Sequence, residues 1–154
     1  MCAIHGYCWQ DEKLIGEMLC KAHHRGPDGQ GKWNNDNITL GHNLLSITDT
    51  PSQSKQPWEY KDIVLVFNGE IYNHLQLRKT LDYKFKTDTD TETLAVGLEK
   101  KGIKFIYELD GMFAFACYNK VNKKIWLVRD INGAKPLYYG YHNGRLAFSS
   151  EVKS

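Results

Sequence analysis

Cys2 stands directly behind the first methionine. Methionine is removed when the second side chain is small, and cysteine qualifies, so the expected mature chain begins with a thiol and a free α-amine on one residue. The amine titrates near about 7.7–8.0 and the thiol near about 8.5, which makes a nucleophile with its own general base. Such a nucleophile needs preorganised N–H donors where negative charge develops. Asn68-Gly69, just after the apolar run Ile63-Val64-Leu65-Val66-Phe67, offers a side-chain amide and a backbone N–H at what the sequence presents as a sharp turn. Asn-Gly is also an ordinary turn pair, Glu70 an ordinary solvated charge and Asp90 an ordinary helix cap, so both readings stand open on these residues alone.

Elements must hold these groups in place. Residues 3–9 read as a buried strand. From Asp11 to His23, Leu14, Ile15, Met18, Leu19 and Ala22 recur at helical spacing, and His23-His24-Arg25-Gly26-Pro27-Asp28-Gly29 follows as a turn-rich loop. Strands are expected near residues 38–41 and 44–47, with an irregular loop over 48–60. The run 63–67 is continuous enough to be buried on both faces. A helix is expected over 72–82, and Thr89-Asp90-Thr91-Glu92 fits a capping box opening another helix that ends at Lys100-Lys101-Gly102. A short helix near 103–109 precedes strands at 112–118, 125–128, 137–141 and 145–149, the last two joined by the hairpin pair Asn143-Gly144. Clustered strands and helices argue for stacked sheets with helices outside them, an α+β layer architecture.

The chain has 154 residues and a formal charge of +2, enough for one domain with a real core. No basic cluster interleaves with aromatics, so no case for nucleic acid arises. No apolar stretch approaches the ~20 residues of a membrane span, and the polar run Gln10-Asp11-Glu12-Lys13 argues against a secretory signal. The four cysteines, at 2, 8, 20 and 117, form no C-x-x-C pair and lack histidines at zinc-ligand spacing. The expectation is reduced thiols, no metal, no cofactor and a cytoplasmic setting.

Taken together, the residues resemble the class II glutamine amidotransferase domain, the Ntn-type glutaminase module at the N-terminus of asparagine synthetases. The resemblance runs the length of the chain through Met1-Cys2-x-Ile4-x-Gly6, Arg25-Gly26-Pro27-Asp28, Gly41-His42-x-x-Leu45-Ser46-Ile47, Gln56-Pro57, Asn68-Gly69-Glu70-Ile71-Tyr72-Asn73, Thr89-Asp90-x-Glu92, Leu109-Asp110-Gly111-Met112-Phe113-Ala114-Phe115-Ala116, Arg129-Asp130-x-x-Gly133-x-Lys135-Pro136-Leu137-Tyr138-Tyr139 and Phe148-x-Ser150-Glu151-x-Lys153. It implies a four-layer αββα Ntn-hydrolase sandwich of two mainly antiparallel sheets flanked by helices, and hydrolysis of L-glutamine to glutamate and ammonia. By resemblance Cys2 is the nucleophile with its α-amine as base, and Asn68 and Gly69 form the oxyanion hole. Asp90 takes the α-ammonium, and Glu70 with Ser46, Ile47 and Thr48 completes the pocket. Arg25-Gly26-Pro27-Asp28 braces the wall.

Three positions depart from the pattern. Leu44 stands where the resemblance implies an arginine for the α-carboxylate, so Arg78, Arg145 or a lysine must reach in, or carboxylate binding is weak, or the ligand differs. Ala3 replaces a glycine, and its methyl is expected to crowd a tight site. His5 replaces a small residue. No Ser-Gly-Gly-x-Asp-Ser loop is present, so no ATP-pyrophosphatase (synthetase) domain is expected within 1–154, and ammonia would pass to a separate acceptor-activating synthetase subunit. The alternatives are a weakened Ntn-fold binding or regulatory module, and an N-terminal thiol hydrolase of a different amide.

Overall fold

The computed structural model describes residues 1–46 and 55–154. In chain order the elements are β1 (Ala3–Tyr7), α1 (Glu12–Lys21), β2 (Gly29–Asn35), β3 (Ile38–Leu44), β4 (Trp58–Tyr60), β5 (Ile63–Ile71), α2 (His74–Arg78), α3 (Asp90–Lys101), β6 (Gly111–Asn119), β7 (Lys124–Arg129), β8 (Tyr138–His142) and β9 (Arg145–Ser149). Single 3-10 segments cover His23–Arg25 and Gly102–Glu108. The strands form two antiparallel sheets, ordered β2-β3-β1-β9-β8 and β4-β5-β6-β7.

Side-chain alternation along the strands stacks these sheets. Ile4 and Leu40 of the first sheet meet Val64, Val66, Ala114 and Ala116 of the second in an inner core. The opposite faces take the helices. Tyr7 packs on Ile15, Met18 and Leu19 of α1, while Leu65, Phe67 and Phe115 pack on Leu94, Ala95 and Phe105. The result is the αββα sandwich. His42 of β3 ties the layers by donating from Nε2 to the Phe67 carbonyl at 3.2 Å. None of the described helices is long and apolar enough to cross a membrane.

Asp11 caps α1, its carboxylate accepting from the Lys13 and Leu14 amides, and Thr89 caps α3 by accepting from Glu92 N at 3.3 Å. Only half of the expected capping box forms, because Glu92 instead accepts from the Lys86 and Thr87 amides. Asn143 and Gly144 both have positive φ, 50° and 75°, as the tight β8–β9 hairpin requires.

Several elements differ from expectation. The strand expected at 38–41 runs on to Leu44 as β3, paired along its length with β2, while Leu45 and Ser46 of the strand expected at 44–47 belong to no strand and Ile47 lies outside the described residues. β2 escapes the pattern because Gly29-Gln-Gly-Lys-Trp-Asn-Asn carries no apolar alternation. The loop expected over 48–60 ends in β4, its first residues lying outside the described ones. The helix expected over 72–82 is only α2. The last four strands are no single meander: β7 closes one sheet, and β8 and β9 join the other. Asn68-Gly69 is no turn. It continues β5, in register with Ala114 and Phe113 of β6.

Candidate active site

Period-2 alternation decides which groups meet. Cys2 shares the inward parity of Ile4, and Asn68 that of Val64 and Val66, so thiol and amide face each other across one end of the sandwich. They line a common cavity of about 240 Å³ together with Leu44, Leu45, Ser46, Gly69, Glu70, His74, Asp90 and Lys135.

Cys2 is held from two sides. Arg25 donates from Nε and Nη2 to the Cys2 carbonyl, both at 3.2 Å, and from Nη1 to Glu151 at 3.3 Å. The Leu45 amide donates to the thiol at 3.4 Å. Burial raises the Cys2 thiol pKa, opposed by the Leu45 amide, the N-terminal charge and Lys135. Such a thiol requires a base to ionise at neutral pH.

The facing amide is free to act. Asn68 is 2% exposed, and its Nδ2 has no hydrogen-bond partner among the described residues. An orphaned buried donor costs about 1–3 kcal/mol, so a partner that arrives only during the reaction is its natural explanation. Gly69 is needed for close approach: a Cβ there would run into Met112 O and the Phe113 backbone of β6. Asp90 sits one residue past the Thr89 cap, and its Oδ2 accepts from Ile71 N at 2.9 Å. Burial raises its pKa, against the lowering effects of the Ile71 amide and His74. An incoming ammonium would favour its charged form.

Asp28 braces the end of β3 at two points. Its amide donates to Leu44 O at 3.0 Å and its carboxylate accepts from Ser46 N at 2.8 Å. Ser46 reaches the cavity; Ile47 and Thr48 lie outside the described residues. Asp130 does the same for the opposite wall. Its carboxylate accepts from the Phe113, Asn132, Ala134 and Lys135 amides at 3.0–3.2 Å, which sets Lys135 beside Met1, Nζ 3.7 Å from Sδ.

The departures resolve structurally. Ala3 is fully buried with the outward parity of Tyr7 and does not line the cavity, so its methyl crowds nothing there. His5 shares that parity. Its Nε2 donates to Asn43 Oδ1 at 3.0 Å and its Nδ1 accepts from Ser149 Oγ at 2.9 Å, a tautomer fixed because Asn43 Nδ2 donates to Leu19 O. Arg78 does not itself line the cavity: its guanidinium donates to Thr93 Oγ1 and the Thr87 and Thr89 carbonyls, pairs with Asp88 at 3.8 Å and stacks on Phe85. Arg145 lies on the exposed hairpin away from the cavity. A lysine does reach in, Lys135. The sequence reading missed His74 as a lining residue; its Nδ1 is buried and without a partner among the described residues. The only available signal was its place three residues beyond a strand whose end carries Glu70.

Against known proteins, the family model for a glutamine amidotransferase domain matches residues 1–154. The glutamine-hydrolyzing asparagine synthetase 1 of Bacillus subtilis is 40% identical, over 93% of this chain and 23% of its own length. The glutamine-hydrolyzing asparagine synthetase B of Escherichia coli is 41% identical, over 85% of this chain and 24% of its own. The chain thus spans about a quarter of the length of these relatives. In fold it is similar to the glutamine phosphoribosylpyrophosphate amidotransferase of B. subtilis complexed with ADP and GMP, with a TM-score of 0.81 at 19% identity, covering 99% of this chain and 42% of that one.

Proposed function

This chain belongs to the class II glutamine amidotransferases, and we propose that Cys2, once Met1 is removed, hydrolyses the side-chain amide of L-glutamine to glutamate and ammonia. The α-amine of Cys2 takes the thiol proton, acting through a water, and the thiolate attacks the amide carbon. Negative charge then develops on the amide oxygen, where Asn68 Nδ2 and the Gly69 N–H stabilise it. Ammonia leaves with the proton that the amine had taken. Water cleaves the thioester, and glutamate departs. Asp90 holds the α-ammonium, with Glu70 beside it, as a charge-assisted pair that selects an amino acid over a simple amide. Residues 1–154 act as one glutaminase-type domain whose ammonia passes to a separate acceptor-activating domain or subunit. Its reactive thiol suits the reducing cytoplasm.

One observation carries this reading: the buried Asn68 amide, without a partner among the described residues, opens onto the same cavity as the Cys2 thiol. A glutamine-like diazo-ketone tests it. Labelling confined to Cys2 supports the assignment. Labelling spread over Cys8, Cys20 and Cys117 would show that Cys2 has no special reactivity, since burial raises the pKa of Cys8 and pushes Cys117 up to about 12.

A further inference from the structure

Free glutamine carries an ammonium and a carboxylate on the same carbon, and the cavity is equipped for only one of them. Among the described residues its lining holds the carboxylates Glu70, Asp88 and Asp90 against a single lysine, Lys135. Lys135 sits at the thiol end, against Met1 Sδ. Asp90 is tied elsewhere, to the end of β5 through Ile71 N. The α-carboxylate of a glutamine seated on Asp90 therefore lies at the end away from Lys135. Residues 47–54, Ile-Thr-Asp-Thr-Pro-Ser-Gln-Ser, contain no cationic side chain. Arg78 is absent from the lining, donates to Thr87, Thr89 and Thr93, and pairs with Asp88 at 3.8 Å.

Part of the remaining lining is apolar or neutral. Leu44 and Gln56 form a wall shared with a second cavity of about 160 Å³, which Asp28, Gln30, His42 and Lys55 help to line. His74 Nδ1 offers one N–H or one lone pair, and a single hydrogen bond satisfies an ester or amide carbonyl as readily as a carboxylate.

We infer that the pocket reads the α-ammonium and not the α-carboxylate, so that it accepts N-terminal glutaminyl compounds (glutamine α-amide, or a peptide beginning with glutamine) at least as well as free glutamine. This rests on the glutaminase reading and uses the same chemistry. The Cys2 Sγ–Cδ bond forms as the Cδ–N bond breaks, ammonia carries off the proton, and water then splits the thioester to leave a glutamyl side chain on an intact backbone.

The test is kcat/KM for ammonia release by Met1-free protein from L-glutamine, its α-amide, glutaminylglycine and Nα-acetylglutamine. Each is corrected with Cys2→Ala, because N-terminal glutamine also cyclises spontaneously. The α-amide and the dipeptide are expected within about threefold of free glutamine or above it, with the acetylated compound about 100-fold or more below. Leu44→Arg is expected to move preference toward free glutamine by about tenfold or more, the scale of one charged hydrogen bond. A wild-type preference for free glutamine over its α-amide of about 100-fold overturns the inference while leaving the glutaminase reading intact. So does collapse of such a preference in Lys135→Ala or Lys55→Ala, which would assign the carboxylate to that lysine. Ammonia from none of these compounds overturns both.

Discussion

Asn68 is a side chain whose cost to the fold asks for an explanation. In β5 it takes the inward place that Val64 and Val66 fill with apolar groups, yet its Nδ2 bonds nothing among the described residues. If that donor meets the developing oxyanion, Asn68→Ala lowers kcat by about 10²–10³-fold with KM little changed. A change confined to KM in steady-state kinetics would place Asn68 in substrate binding. The base makes a second prediction. Burial raises the Cys2 thiol pKa, so the thiol needs a base, and in the proposed mechanism that base is the α-amine. The working state needs that amine unprotonated, so kcat/KM rises with pH and levels off above about 7.7–8.0. A profile flat from pH 6 to 9 would exclude the amine as base.

At the scale of elements, β1 and β3 each carry a buried histidine, His5 and His42. Burial lowers His5 to about 4 and His42 to about 3, from an ordinary value of 6.5. Unfolded chain takes up protons on both rings as pH falls through 6.5, while folded chain does not until pH approaches 4. Stability is therefore complete above pH 6.5 and is lost as pH falls toward 4, by about 1.4 kcal/mol per pH unit for each ring. Urea midpoints at pH 5 and 7 check this: wild type should fall, and His5→Gln should fall less. An equal drop in both would remove His5 from the account. These strands also show what a sequence can and cannot reveal. The layer architecture was legible because Ile63–Phe67 and the α1 stripe have clean periodicities. Asn68-Gly69 looked like a turn because apolar character stops where the inward face of β5 becomes the site. β2 was hidden for want of apolar alternation, and nothing local to His74 or Lys135 shows that a short helix and the Asp130 loop deliver both to the cavity.

For the whole molecule, the two sheets are registered by their shared core and by the His42 bridge to Phe67, and that registration brings residues 2, 68 and 90 to one cavity. Mutual placement of distant residues was legible only through the family resemblance, because no local pattern encodes it. Met1 lines the same cavity, with its sulfur against Lys135, and in the proposed mechanism its removal frees the Cys2 α-amine. The most direct measurement is glutamate formation from L-glutamine by protein whose intact mass shows Met1 removed, run beside protein that retains Met1 and beside Cys2→Ala. The account predicts turnover by the processed chain alone, with both comparison proteins folded and inactive. Full activity in the Met1-retaining form, or in Cys2→Ala, would contradict it.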